Sequence, residues 1–245
     1  MRVRWVTWDV KDTLLRVRRS VGEQYCSAAR QHGLTLAPAA VESAFRQAYQ
    51  QQESRYPNYG LGQGLSSRAW WGAVVQETFS RCGVAEGQTL PRLAEQLYAG
   101  FSGAANWEVF ADSESALRRC RALGLRLAVV SNFDGRLEAV LRSCGLRGHF
   151  QFVVTSESAG APKPDPRIFL RALELSGERE PAALAHVGDH PLNDYLAAQA
   201  VGMRSFLLER GGGAAEGGLP VPPVPPQHRL RSLDELPALL QQDQD

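Results

Sequence analysis

Five polar side chains stand where short apolar runs stop, or in the loops that follow them. Asp9 follows VRWVTW, Ser131 ends the run RLAVVS, and Asp189 comes straight after ALAHVG. Lys163 lies in the loop segment AGAPKPDPRIF, and Asp194 lies beyond Asp189 in GDHPLND. Carboxylate oxygens suit a hard cation such as magnesium. A fixed ammonium balances phosphoryl charge, and a hydroxyl with backbone N–H groups holds phosphate oxygens. The set therefore suits a phosphate and a hard cation held side by side. A second lysine, Lys11, sits two positions after Asp9 in WDVKDTLL.

These residues need a scaffold that gathers distant strand ends. Val3 to Trp8 is a short β-branched and aromatic run, as a buried strand should be. From about residue 112 the pattern alternates helix and strand. Ala116, Leu117, Cys120 and Leu123 give an amphipathic helix stopping at Gly124, and LRLAVV is a buried strand. Another helix stops at Gly145, then FQFVVT, a helix to about Gly177, ALAHV, a helix over 192–200 and the strand RSFLL. Such alternation predicts an α/β fold: a doubly wound, Rossmann-like parallel sheet with right-handed crossovers. Ligands of open α/β sheets bind outside the carboxyl ends of the strands, which is where the polar set falls.

Between the first strand and the rest, residues 16–106 read as helical, with apolar stripes such as Trp70, Val74, Val75 and Phe79. The segment RYPNYGLGQGLSS reads as a loop inside it. The expected organisation is a core of residues 1–15 and 107–245 with an insert of residues 16–106. GGGAAEGGLPVPPVPP, from Gly211, reads as a flexible or polyproline-like linker, with a short helix over 233–240 after it.

Composition narrows the function classes. With 44% hydrophobic and 22% charged residues the chain has the makings of a packed core, and its net charge of +1 gives no electrostatic case for nucleic acid or a membrane surface. The four cysteines show no metal-binding spacing and read as reduced thiols. The N-terminal run lacks the long apolar stretch of a signal peptide or membrane span, so an intracellular place, cytoplasmic or nuclear, is expected. A protein partner is not legible.

Taken in order, DxxDTL, the strand-end SN, KPDPRIF and HVGDxxxND resemble the haloacid dehalogenase superfamily of hydrolases over essentially the whole chain. The helical insert matches that superfamily's cap. The resemblance implies that Asp9 is a nucleophile forming an aspartyl-phosphate and that Ser131, with Asn132 beside it, contacts the phosphoryl group. It implies that Lys163 neutralises both. It makes Asp9, Asp189, Asp194 and the backbone carbonyl of Lys11 a magnesium site, with Asp194 acting through water or orienting Lys163. A small phosphorylated metabolite is the implied ligand. Tyr56, Tyr59, Arg68, Trp70 and Trp71 are the candidates for substrate contact from the cap, although the aromatics also read as cap core. His186 and His190 read as structural or surface residues.

Phosphatases of this superfamily usually read DxDGT, with the second Asp as proton carrier. Here Lys11 takes that place and Asp12 replaces the Gly. Asp tolerates the left-handed turn needed there. A lysine in place of a carboxylate changes the local charge by two units, as much as a divalent cation brings. Opposite charges ~4 Å apart attract by about 4 kcal/mol at an effective dielectric near 20. Lys11 is thus expected to pair with Asp9 and weaken magnesium affinity. As an ammonium of reference pKa ~10.4 it is also a poor proton carrier near neutral pH. Slow or altered phosphomonoester hydrolysis is expected, with a catalytically inactive ligand- or partner-binding relative as the alternative.

Overall fold

The computed structural model describes residues 2–85, 87–210 and 223–242. Eight strands are, in chain order, β1 (Trp5–Trp8), β2 (Leu15–Val17), β3 (Trp107–Val109), β4 (Arg126–Ser131), β5 (Phe152–Thr155), β6 (Leu184–Gly188), β7 (Arg204–Leu208) and β8 (Arg229–Leu230). The helices are α1 (Val21–Arg30), α2 (Pro38–Arg55), α3 (Ser67–Arg81), α4 (Thr89–Gly100), α5 (Ser113–Ala122), α6 (Leu137–Ser143), α7 (Ser156–Ala159), α8 (Pro166–Ser176), α9 (Ala197–Ala200) and α10 (Leu236–Gln242).

Contacts divide the chain into two units. One holds residues 1–16, 109–133 and 145–245; the other holds 17–108 and 134–144. The first is an α/β unit whose sheet runs β5-β4-β1-β6-β7-β8, every neighbouring pair parallel. The chain steps outward from β1 through β4 to β5, then restarts at β6 on the other side of β1. This reversal leaves a crevice at the carboxyl ends of β1, β4 and β6, the usual ligand position of such sheets. β1, β4 and β6 are buried almost residue by residue, as parallel strands covered on both faces must be. Ile168, Phe169 and Ala172 of α8 pack with Trp5, Val130 and Leu184. Asp165 caps that helix by accepting from the Arg167 N–H at 2.9 Å, with Pro166 in its first turn.

The second unit is helical. Ser20 and Glu23 form a capping box that starts α1, and Ser66 caps α3. Gly22 lets α1 and α2 touch: a Cβ there would overlap the Pro38 carbonyl. Tyr25, Val41, Phe79 and Leu93 build one core, and Trp70, Tyr59, Val74 and Ala48 a second.

Several local expectations change. Helix α2 runs on to Arg55, and the following segment makes a short 3₁₀ turn over Asn58–Gln63 rather than a plain loop. The helix expected over 192–200 is a π-turn, Pro191–Leu196, followed by α9. Residues 134–144, with α6, group with the helical segment although they follow a core strand in sequence. Most of the Gly/Pro-rich stretch, residues 211–222, lies outside the described residues. Among those described, no helix is long and apolar enough to cross a membrane.

Candidate active site at the strand-end rim

Asp9 is placed by the β-ladder. Its N–H donates to the Val187 carbonyl at 2.9 Å, extending the β1–β6 pairing by one residue and leaving its side chain at the rim. The chain then turns tightly, with the N–H groups of Leu14 and Leu15 both on the Val10 carbonyl, at 2.8 and 3.0 Å. Asp12 takes the left-handed conformation, φ 63°.

This turn corrects the expected pairing of Lys11. Its ammonium lies 2.6 Å from Asp12 Oδ2, not on Asp9, and both side chains are about half exposed, at 56% and 48%. In an extended strand adjacent side chains point apart; the left-handed Asp12 brings its carboxylate back to its neighbour. Burial pulls the Lys11 pKa down, but Asp12, then Asp189 and Asp9, pull harder, and the net shift is upward. The residue is a firm cation. Its charge is already partnered, so it does not occupy the centre of the rim.

The centre belongs to Lys163. Its Nζ donates to Asp9 Oδ1 at 2.6 Å, to Asp194 Oδ1 at 2.5 Å and to the Val130 carbonyl at 3.1 Å, using all three protons. Burial opposes this ammonium, yet the two carboxylates outweigh it and hold its pKa above the ordinary lysine value. Asn132 fixes the Lys163 backbone from both sides: its Nδ2 donates to the Lys163 carbonyl at 2.9 Å and its Oδ1 accepts from the Lys163 N–H at 2.7 Å. Both ends of that amide are thus engaged in shaping the loop. Ser131, the last residue of β4, donates its hydroxyl to Asp9 Oδ1 at 2.9 Å.

Asp194 is held by Lys163, by the His186 imidazole 3.0 Å from Oδ1, and by the His190 N–H 3.0 Å from Oδ2. Burial would raise its pKa, but Lys163 and His186 hold it below the usual carboxylate range. Gly188 makes room, because a Cβ there would overlap the Asp194 carboxyl. Asp9 is pushed up by burial and by Asp194, against the pull of Lys163. Asp189, half-buried, accepts from the Thr13 hydroxyl at 3.2 Å. Burial first, then the Asp9 and Asp194 charges, push it up to about 7.

Asp9, Asp189 and Asp194 each offer an oxygen, and these atoms lie within 4.8 Å of one another. A set of hard oxygen donors whose mutual repulsion helps raise two members, Asp9 and Asp189, fits a divalent cation, which would relieve that repulsion. The five polar residues read from sequence, three at strand ends and two in the segments beyond, therefore converge. Two contributors, Thr7 and Thr13, were not singled out, and His186, read as structural or surface, is a buried structural residue. Thr13 and His186 are fully buried, and Thr7 Oγ1 lies 2.9 Å from His186 Nδ1. An imidazole inside an apolar strand, three positions before Asp189, was the available signal: a buried ring needs polar partners. Burial holds His186 below the ordinary imidazole pKa.

The residues proposed for substrate contact belong to the helical unit. Trp70 has no exposed surface, donates its indole N–H to the Tyr56 carbonyl at 2.8 Å, and meets Tyr49 and Tyr59 edge-on, each at 5.5 Å. Tyr59 is buried in the same cluster and Tyr56 packs against it. Arg68 is exposed and bonds Glu95, Nε to Oε1 at 2.8 Å. Trp71 donates to Asp134 Oδ2 at 2.8 Å, and Arg136 clamps the same carboxylate while stacking on Tyr98 at 4.1 Å. Asp134 and Arg136 had not been read from the sequence. Trp70 and Tyr59 serve the packing of this unit.

Residues 3–202 match the family described as haloacid dehalogenase-like hydrolase. Haloacid dehalogenase-like hydrolase domain-containing protein 3 of Danio rerio is 55% identical over 243 residues, covering 99% of this chain and 98% of that protein. Among solved structures, 2-haloacid dehalogenase from Pseudomonas syringae pv. Tomato DC3000 aligns with TM-score 0.67 and 23% identity over 98% of this chain and 99% of that one. The HAD phosphatase from Thermococcus onnurineus aligns with TM-score 0.63 and 22% identity, over 98% of each chain. At those identities the two structures speak to the fold alone.

Proposed function

Because the chain belongs to the haloacid dehalogenase-like hydrolase family, we propose that its rim is a phosphatase-type site that takes a small phosphorylated metabolite and turns it over slowly. The observation that carries this reading is the asymmetry of Asp9. Oδ1 accepts from both Ser131 and Lys163, whereas Oδ2 takes no hydrogen bond among the described residues. A carboxylate anchored by one oxygen and open at the other is built to attack. Oδ2 would form a bond to phosphorus as the ester oxygen leaves, giving an aspartyl-phosphate. Water would then displace Asp9 and release phosphate.

Lys163 would balance the phosphoryl charge, and the Ser131 hydroxyl can turn from Asp9 to a phosphoryl oxygen. Asn132 contributes by fixing the Lys163 backbone. Asp9, Asp189, Asp194 and the carbonyl of Lys11 would hold magnesium, which when bound would neutralise phosphoryl oxygens. The helical unit would act as the cap that selects substrate, with Tyr56, Arg68 and Trp71 as its accessible candidates. Lys11 lowers cation affinity through its nearness to Asp189 and Asp9, and Asp12 tempers the effect.

Both chemical steps call for proton transfer: to the leaving oxygen, then from the attacking water. Lys11 is a cation tied to Asp12 and does neither well near neutral pH. General acid–base help is worth ~10²–10⁴-fold, so turnover falls by about that much. This favours a second reading at the extreme, a pseudophosphatase that keeps the anion pocket and serves as a binding module inside the cell.

The test is a panel of phosphomonoesters with magnesium. Lys11→Asp is expected to turn over faster than wild type by at least about tenfold, and Asp9→Asn to be inactive. Ordinary phosphatase rates in the wild type would overturn the reading of Lys11. Binding of phosphate without turnover in either protein would favour the binding module.

A further inference from the structure

We propose that His186 is a positioning residue of the rim: its Nε2–H fixes Asp194 so that Lys163 stays on Asp9. The geometric part stands alone, and its consequence for phosphate binding rests on the reading of Asp9 above.

His186 lies inside β6, opposite Thr7 of β1 in register, with no exposed surface. Its ring is held at three points. Nδ1 is 2.9 Å from Thr7 Oγ1, Nε2 is 3.0 Å from Asp194 Oδ1, and Phe169 meets the ring edge-on at 5.0 Å and 81°. A carboxylate oxygen only accepts, so Nε2 carries the proton that Asp194 receives. Asp194 Oδ1 is the same atom that Lys163 Nζ approaches at 2.5 Å, while the same ammonium reaches Asp9 Oδ1 at 2.6 Å. Thr7, His186, Asp194, Lys163 and Asp9 therefore form one buried chain of hydrogen bonds from the sheet interior to the rim.

Without the Nε2–H, among the described residues Asp194 Oδ1 keeps Lys163 and its Oδ2 keeps the His190 N–H. The carboxylate can then turn about its Cβ–Cγ bond, and the Lys163 ammonium, on its four-carbon stem, follows it away from Asp9. His186 itself touches neither Asp9 nor a phosphate at Asp9, so any effect it has passes through Asp194. A histidine that merely fills the core would change stability but not the rim.

Three variants separate these cases: His186→Leu, which fills the space without a donor; His186→Gln, whose amide N–H can replace Nε2–H; and Thr7→Val, which leaves the ring but removes its Nδ1 partner. Crystal structures report the Lys163–Asp9 contact, and calorimetry with inorganic phosphate in magnesium reports the pocket. The leucine variant is expected to lose the Lys163–Asp9 hydrogen bond and bind phosphate about tenfold more weakly, the worth of one hydrogen bond to a charged group. The glutamine variant is expected to recover both. Thr7→Val should shift affinity in the same direction by about two- to threefold, and it decides the matter if the leucine variant fails to fold. An unchanged Lys163–Asp9 contact in the leucine variant overturns the proposal, as does an unchanged phosphate affinity in the valine variant or a glutamine variant as impaired as the leucine one. Failure of the wild type to bind phosphate would count against the phosphoryl reading, while the crystal geometry would still decide the role of His186.

Discussion

Lys163 and Trp70 are both fully enclosed, and both satisfy their polar atoms, but they do so in different ways. Lys163 is held by two carboxylates and a carbonyl from separate segments of the α/β unit. Trp70 gives one hydrogen bond to the nearby Tyr56 carbonyl and otherwise packs against rings of its own unit. The first arrangement is a network of charges in which each member sets the state of the next. The second is local packing, where loss of a side chain leaves a cavity and little else. The rim should therefore respond to substitution through charge, with losses that a second substitution can partly restore, and the aromatic cluster through lost volume.

The largest effect is expected at Lys163. Lys163→Met strands Asp9 and Asp194 as buried unpaired carboxylates, at a cost of about 4 kcal/mol in urea unfolding. Adding Asp194→Asn to that variant should restore part of the loss, because it removes one stranded charge. A double variant as unstable as the sum of the singles would show that the rim is not a coupled network. Trp70→Ala should cost about 3 kcal/mol as a cavity and leave magnesium affinity, measured by calorimetry, where it was. A fall in that affinity would erase the contrast between the two regions.

A smaller effect comes with pH. Without a divalent cation, burial and the neighbouring carboxylates raise the folded pKa of Asp189 to about 7, well above the usual aspartate range. A raised acid binds its proton more tightly when folded, so its contribution is fully present below the unfolded value and is lost as pH rises through about 7. For a half-buried group this amounts to about 1–2 kcal/mol after solvent screening. Thermal melts in chelator should decline across that window, and saturating magnesium should flatten the decline. A pH profile that saturating magnesium leaves unchanged would contradict the placement of Asp189 among uncompensated carboxylates, because the opposing rise from buried His186 is common to both melts. The smallest effect is at Lys11→Met, whose surface pair with Asp12 is worth at most about 1 kcal/mol; its stability should barely move while magnesium binds a few-fold tighter.

Asp9, Ser131 and Asp189 were legible because a parallel sheet puts chemistry at carboxyl ends and apolar runs show where strands stop, whereas Lys163 and Asp194 were legible through the motifs KPDPRIF and GDHPLND. The pairing of Lys11 was not, since it depends on a left-handed φ at Asp12 that returns one side chain to its neighbour. The place of His186 was hidden by its strand, where an imidazole reads as filling until Thr7 and Asp194 are seen beside it. The grouping of residues 134–144 with the helical unit was hidden for another reason. Local periodicity marks α6 as a helix but carries no information on which core it joins. Among the aromatic candidates of the helical unit, Trp70 reads from sequence both as a contact and as packing, and its complete burial assigns it to packing.

The central claim is that Lys11 leaves the nucleophile in place and removes the proton carrier. It is tested most directly by mixing wild type with p-nitrophenyl phosphate and magnesium and following the first turnover. This leaving group departs without acid help, so the first step can proceed, whereas hydrolysis of the aspartyl-phosphate still calls for a base. The account predicts a burst of about one equivalent of nitrophenolate, a slow steady rate, and a phosphoryl group found on Asp9 by mass spectrometry. Rapid linear turnover without a burst, or a burst with no phosphoryl group on Asp9, would contradict it.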